Sequence, residues 1–259
     1  VAVGIMPGAE PFEAAGGPIG VVLSHGFTGT PQSLRPWAEH LAAAGFAVAL
    51  PRLPGHGTRW QDLNDTRWPD WYGELERAFD QLRSHCTEVF AAGLSMGGTL
   101  VLRLAEQRGA DVAGLVLVNP SLATERWDVK VALPVLQRFV PSLKGIASDI
   151  KKPGSTELAY DRTPLRALHS LSALWRLTRA DLGRVTAPVL TYRSSTDHVV
   201  EPLSGRLLAA GCPAGAVEER VLADSYHVAT LDNDAPAIFA GSVEWIRAHS
   251  RLAEPGTPS

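Results

Sequence analysis

The strongest constraint on this chain is a rhythm. Between Ile19 and Asn119 short apolar runs alternate with longer stretches of helical periodicity. Residues 19–24, 46–50, 88–92 and 113–118 read as buried strands. Residues 33–44, 69–85 and 96–108 read as helices, the second carrying Trp71, Leu75, Phe79 and Leu82 along one face. A strand apolar on both faces needs cover on both faces, and a helix between successive strands makes them parallel. The rhythm returns with a strand at 189–192, a helix at 203–210, a strand at 217–222 and a closing helix at 235–249. The expected fold class is therefore α/β, a mostly parallel central sheet flanked by helices. The tail at 254–259 is rich in Pro, Gly and Ser and predicts a frayed end.

Between the two stretches the rhythm breaks. Residues 121–185 carry Pro134, Pro141, Pro153 and Pro164, with helical patterns and no clear strand. Thr163 and Pro164 suit an N-cap and first helical position, opening an amphipathic run of Leu165, Leu168, Leu171, Leu174 and Trp175. Long insertions in compact domains tend to be functional. The expected division is a core of 1–120 and 186–259 with a helical cap at 121–185, a second small domain being the plainer alternative. The apolar stretch 129–140 could touch a membrane as a lid, but reads better as the interior of the cap.

Composition narrows the partners. With 259 residues and 45% apolar content the chain can build a sizeable core without a disulfide or metal staple. Its 24 basic residues against 27 acidic ones leave a net charge of -3, which offers no field for nucleic acid or an anionic membrane surface. Cys86 and Cys212 lack metal-ligand spacing and read as free thiols of a reducing compartment. The first twenty residues lack a basic start followed by an apolar run, so no signal peptide is expected, and no apolar run suits stable membrane insertion. A cytoplasmic location follows as the expectation; oligomeric state is not legible.

The chemistry begins at Gly93-Leu94-Ser95-Met96-Gly97, set between the strand at 88–92 and the helix from Met96. A serine hydroxyl is a poor nucleophile unless it projects free and meets a base, and a sharp strand-to-helix turn presents it at the sheet's carboxyl edge. His227, between the last strand and last helix, is the best-placed base for Ser95. The third member should orient that imidazole. Asp197 follows the strand at 189–192 and fits; Asp224, three residues before His227, shares its loop and would struggle to reach around the ring, and Glu201 is more distant. An oxyanion needs two donors aimed at it. The backbone N–H of Met96 is one candidate, and that of Phe27, in the loop His25-Gly26-Phe27-Thr28-Gly29, is the other.

These motifs, with the loop at 50–57, Asp197-His198-Val199-Val200 and Glu157-Leu158-Ala159-Tyr160, resemble those of bacterial α/β-hydrolase carboxylesterases, in particular the monoacylglycerol lipases. The resemblance spans nearly the whole chain; only 121–146 departs from the family pattern. It implies an eight-stranded sheet with a helical cap, Ser95, Asp197 and His227 as a triad, and Phe27 and Met96 as oxyanion donors. It implies no cofactor and no metal, and a small-molecule ester, a monoacylglycerol-like lipid, as substrate. Glu157 could then meet a polar alcohol group of the substrate, the alternative being a surface carboxylate. His25 and His56 read as loop-shaping residues, Arg52 as an ion-pair partner, and His198 as turned elsewhere. A general carboxylesterase is the alternative activity, and a ligand-binding relative without turnover the alternative from another class. Thioesterases, amidases and C–C hydrolases share such a triad, whereas haloalkane dehalogenases and epoxide hydrolases need a carboxylate where Ser95 stands.

Overall fold

The computed structural model describes residues 4–145 and 148–252. Its strands are β1 (Phe12–Ala14), β2 (Ile19–Ser24), β3 (Ala47–Leu50), β4 (Glu88–Leu94), β5 (Val112–Val118), β6 (Ser142–Lys144), β7 (Arg162–Pro164), β8 (Val189–Ser194) and β9 (Val217–Leu222). Its helices are α1 (Arg35–Ala43), α2 (Trp60–Asp65), α3 (Trp68–Arg83), α4 (Met96–Arg108), α5 (Trp127–Leu136), α6 (Leu165–Asp181), α7 (Leu203–Gly211) and α8 (Ala235–His249). The main sheet has seven strands in the order β1-β3-β2-β4-β5-β8-β9. Only β1 runs antiparallel to its neighbour; the other pairs are parallel.

Alternation along the central strands builds two cores. Val22 and Ala91 face a layer with Trp71, Leu75, Phe79, Leu100 and Trp175 from α3, α4 and α6. Their neighbours Val21, Leu23, Phe90 and Ala92 face the opposite layer, with Trp37, Leu41, Trp245 and Ile246 from α1 and α8. Successive side chains of a strand point to opposite faces, so strands with helices on both sides must be apolar throughout. The chain leaves β2 for β3 on one side and returns to β4 on the other. The loops after β2 and β4 therefore diverge at the sheet's carboxyl edge, the crevice where parallel sheets bind ligands.

Several sequence expectations need correction. The described residues give seven strands in the main sheet, not eight, and β1 was not anticipated because three residues carry no readable period. Residues 121–185, expected to hold no strand, contain the antiparallel ribbon β6–β7. Thr163 and Pro164 lie in that ribbon, paired with Leu143 and Ser142, so α6 starts one residue later, at Leu165. Pairing with β6 outweighs the local capping signal there. The stretch 129–140 is not simply interior: Leu133 is buried, but Val131, Val135 and Phe139, four residues apart, are 69%, 60% and 80% exposed along one face. The tail at 254–259 lies outside the described residues. Among those described, no helix is long and apolar enough to cross a membrane.

Candidate active site

β4 ends at Leu94 and α4 begins at Met96, leaving Ser95 alone to make the turn. It does so at φ 56 and ψ -119, a conformation L residues rarely adopt. The backbone holds it there: the Ser95 N–H donates to the Val118 carbonyl at 3.0 Å, and its carbonyl accepts from Ser121 N at 3.1 Å. Close approach explains the glycines around it. A Cβ at Gly97 would land on the Ser24 carbonyl, and one at Gly93 on the backbone of Gly97. Met96 is the first residue of α4, so its N–H lies among those with no intrahelical partner.

The loop after β2 is shaped by two buried imidazoles. His25 Nε2 accepts from the Leu53 N–H at 3.2 Å, which leaves Nδ1–H to donate to the Gly26 carbonyl at 3.0 Å. Burial lowers its pKa to about 4, against the Gly26 hydrogen bond and with help from Arg52. His56 stands edge-on to His25 with centroids 5.0 Å apart, and burial, then His25, hold its pKa well below the usual value. Both fit the loop-shaping reading. Among the described residues Arg52 has no ion-pair partner, contrary to expectation; its Nη1 donates to the His56 carbonyl at 2.6 Å. A cation beside two neutral imidazoles that hold the same loop uses a carbonyl dipole instead. Phe27 packs on Trp71, ring centroids 6.0 Å apart, and Tyr160 N donates to the Thr28 carbonyl at 3.1 Å.

His227 sits between β9 and α8, its Nδ1–H donating to Asp197 Oδ2 at 2.8 Å. Asp197 Oδ1 accepts from the N–H groups of Val199 and Val200, each at 2.8 Å. Both side chains are nearly buried, 7% and 8% exposed. Burial works to raise the Asp197 pKa, but His227 and the two amides outweigh it and hold the carboxyl below its usual range. Burial works to lower that of His227, but Asp197, then Glu157 and Asp149, outweigh it and raise the value. Asp224 is exposed and pairs with Lys151, and Glu201 accepts from Thr124 and Glu125 N. Neither orients His227. The His198 ring turns to Asp149 at 2.7 Å.

Ser95 and His227 line one cavity of about 330 Å³, with Phe27, Glu157, Leu171 and Trp175 among its walls. No hydrogen bond joins Ser95 and His227 among the described residues; such contacts are often open until substrate enters. Glu157 is a wall of this cavity and not the surface carboxylate considered from sequence. Burial raises its pKa to about 7, against His227 and Ser148. Asn119, at the end of β5, was missed. At φ 43 its Nδ2 donates to the His227 carbonyl at 2.8 Å while its Oδ1 accepts from Ser194 N at 2.8 Å, tying the His227 loop to the sheet edge. An Asn directly after a buried strand, tolerant of positive φ, was the available signal.

Residues 19–234 match the Hydrolase_4 family, described as serine aminopeptidase, S33. The chain is 42% identical over 246 residues to the thermostable monoacylglycerol lipase of Bacillus sp. (strain H-257), covering 95% of this chain and 97% of that protein. It is 24% identical to a carboxylesterase of Bacillus subtilis (strain 168), covering 92% and 96% of the two chains. Among solved structures, the one reported for LipS and LipT, two metagenome-derived lipolytic enzymes, superposes with a TM-score of 0.91 at 42% identity, over 95% of this chain and 100% of that one.

Proposed function

The chain belongs to the Hydrolase_4 family, and from that premise we propose that it is a serine esterase acting through Ser95, Asp197 and His227, with monoacylglycerols as substrates. The observation that carries this reading is the 2.8 Å His227–Asp197 pair standing over the same cavity as a strained, helix-capping Ser95. His227, neutral at Nε2 because Asp197 holds the proton on Nδ1, takes the Ser95 proton as Oγ attacks the ester carbonyl. The carbonyl oxygen becomes an oxyanion, received by the N–H groups of Phe27 and Met96. The tetrahedral intermediate collapses, the alcohol leaves with the proton from His227, and the acyl group stays on Ser95. Water, deprotonated by His227, attacks the acyl carbon, and the fatty acid departs as Ser95 regains its proton. No cofactor enters these steps.

Residues 121–185 serve as a cap over the core of 1–120 and 186–259, supplying Leu168, Leu171 and Trp175 as apolar wall for an acyl chain. Glu157, carried by the cap, faces the glycerol end, and its pKa near 7 lets it accept from or donate to a hydroxyl. The support for a monoacylglycerol is the 42% identity to a protein of that activity over 95% of the chain. The cytoplasmic location is part of the same proposal, supported by Cys86 and Cys212 standing as separate buried thiols.

The test is turnover by purified protein on mono-, di- and triacylglycerols of several chain lengths, with a p-nitrophenyl ester series alongside. Turnover confined to monoacylglycerols, lost in a folded Ser95→Ala variant and weakened selectively in Glu157→Gln, is expected. Equal rates on all small esters would make it a general carboxylesterase. A Ser95→Ala variant with wild-type turnover would end the mechanism.

A further inference from the structure

The loop that carries His227 is held through three consecutive backbone N–H groups. Tyr226 N donates to Asp232 Oδ2 at 2.9 Å, His227 N to Asp149 Oδ2 at 3.2 Å, and Val228 N to the Asp149 carbonyl at 3.1 Å. Asp149 also accepts from His198 N at 3.1 Å and from the His198 ring at 2.7 Å, so it grips the loop that carries Asp197 as well. The grip is returned. Asp232, beyond His227 in the chain and 1% exposed, accepts from Lys151 N at 2.7 Å and Lys152 N at 2.9 Å. One carboxylate from the inserted segment thus holds the His227 and Asp197 loops, and one carboxylate from the core holds the inserted segment.

We propose that Asp149 is a positioning residue for the His227–Asp197 pair, with Asp232 as its reciprocal anchor. The proposal rests on the reading of His227 as the base. Hydrogen bonds to a charged acceptor are about twice as strong as neutral ones, and those from Asp149 span two loops that share no backbone bond between Asp197 and His227 themselves. Asp149 reaches His227 only through its backbone N–H, and touches no reacting atom. Its consequence is geometric and electrostatic: the ring is fixed over the cavity, and a negative charge stands behind the imidazolium that forms on attack. The charged groups facing His227 are then Asp197 at the ring, Glu157 across the cavity and Asp149 at the backbone. Those near Asp149 are His198 and Asp232, while Lys151 is turned to Asp224. The same segment carries Ser148, whose Oγ accepts from Glu157 N at 3.0 Å, so the carboxylate of the alcohol end and the base are referenced to one short piece of chain.

The experiment compares Asp149→Asn, Asp149→Ala, His198→Ala and His227→Ala with the wild type on p-nitrophenyl butyrate, measuring kcat, KM, the pH dependence of kcat/KM and Tm. Asp149→Asn keeps shape but presents an NH2 and no charge to the loops. We expect kcat to fall about tenfold with KM within about twofold, as for a group acting mainly in the transition state. The acid limb of kcat/KM should move to lower pH, because a charge favouring the imidazolium is gone. His198→Ala, which keeps the His198 N–H on Asp149 but removes the ring from Asp149 and from Tyr226, should lower kcat less than Asp149→Asn does. If Asp149→Ala does not fold, Asp149→Asn carries the test. Wild-type kcat and an unmoved acid limb in the Asp149 variants, even with a lowered Tm, would reduce Asp149 to a structural latch and overturn the proposal. Wild-type turnover in His227→Ala would instead overturn the reading of the base, a different failure with a different signature.

Discussion

Ser95 adopts a backbone conformation that costs about 1–3 kcal/mol for a non-glycine residue. It persists because the neighbours leave no alternative: Gly97 lies against the Ser24 carbonyl and Gly93 against Gly97, so strand and helix can approach only with glycine at both places. As the proposed nucleophile, Ser95 needs a neutral imidazole opposite. Burial acts to lower the His227 pKa, but the carboxylates of Asp197, Glu157 and Asp149 raise it above the ordinary 6.5. The proposed base works only when unprotonated, so activity should fall as pH drops through a midpoint above 6.5, not at it. A pH profile of kcat/KM on an ester with a good leaving group checks this, and a midpoint at or below 6.5 would contradict it. At this scale the sequence was informative where chemistry demands a residue type. Ser95, Asp197 and His227 were singled out by motif and chain order; the structure brings the last two into contact at 2.8 Å and sets Ser95 on the wall of the same cavity. Asp149 and Asp232 could not, because they hold these loops chiefly through backbone N–H groups, which leave no mark on the partner's side chain, and Asn119 offered only its place directly after a buried strand.

At the scale of elements, legibility followed length. The strands β2, β4, β5 and β8 and the helices α3, α4 and α8 were found to within a few residues, since each repeats its apolar period several times. The three-residue strands β1, β6 and β7 exist only through their partners and carry no period to read. How the inserted segment docks was equally hidden, because single polar side chains do it. Asn64, on α2, donates from Nδ2 to the Pro141 carbonyl at 2.7 Å and accepts at Oδ1 from Arg166 N at 3.1 Å. Tyr160 donates from its hydroxyl to the Gly55 carbonyl at 2.8 Å and accepts from Thr58 N at 2.9 Å. A Tyr160→Phe substitution removes the hydroxyl and strands both backbone groups with almost no change of shape. Leaving such groups unsatisfied costs about 1–3 kcal/mol, so the urea midpoint should fall accordingly. Because Tyr160 N also anchors the Thr28 carbonyl beside Phe27, KM should rise with it. An unchanged midpoint would mean that water replaces the hydroxyl and that the phenol is not what seats the segment.

Across the whole molecule, buried ionisable groups pull stability in opposite directions with pH. Burial lowers His25 to about 4 and takes His56 well below its usual value, so below about pH 6.5 the unfolded chain binds protons at both imidazoles more tightly than the folded chain does. Burial raises Glu106 to about 8 and Glu157 to about 7, so between about pH 4.5 and 6.5 the folded chain keeps two protons that the unfolded chain has lost. These opposing pairs largely cancel there. Glu106 earns its shift from geometry: its side chain is 0% exposed, one oxygen has no partner, and Arg103 is shared with Asp181, which lies nearer at 2.6 Å. Above pH 6.5 the cancellation ends, because His25 and His56 are neutral in both states. Glu106, Glu157 and His227 all have folded pKa values raised above the unfolded ones, and stability gained that way is lost as pH rises through the folded values. Stability should therefore be higher at pH 6 than at pH 8, with the slope set by protons released only on unfolding. Urea unfolding at the two pH values measures it, and Glu106→Gln, which keeps the buried shape without the charge, should shrink the difference. A midpoint that climbs from pH 6 to pH 8 would show Glu106 to be ionised in the folded protein, satisfied by Arg103 after all.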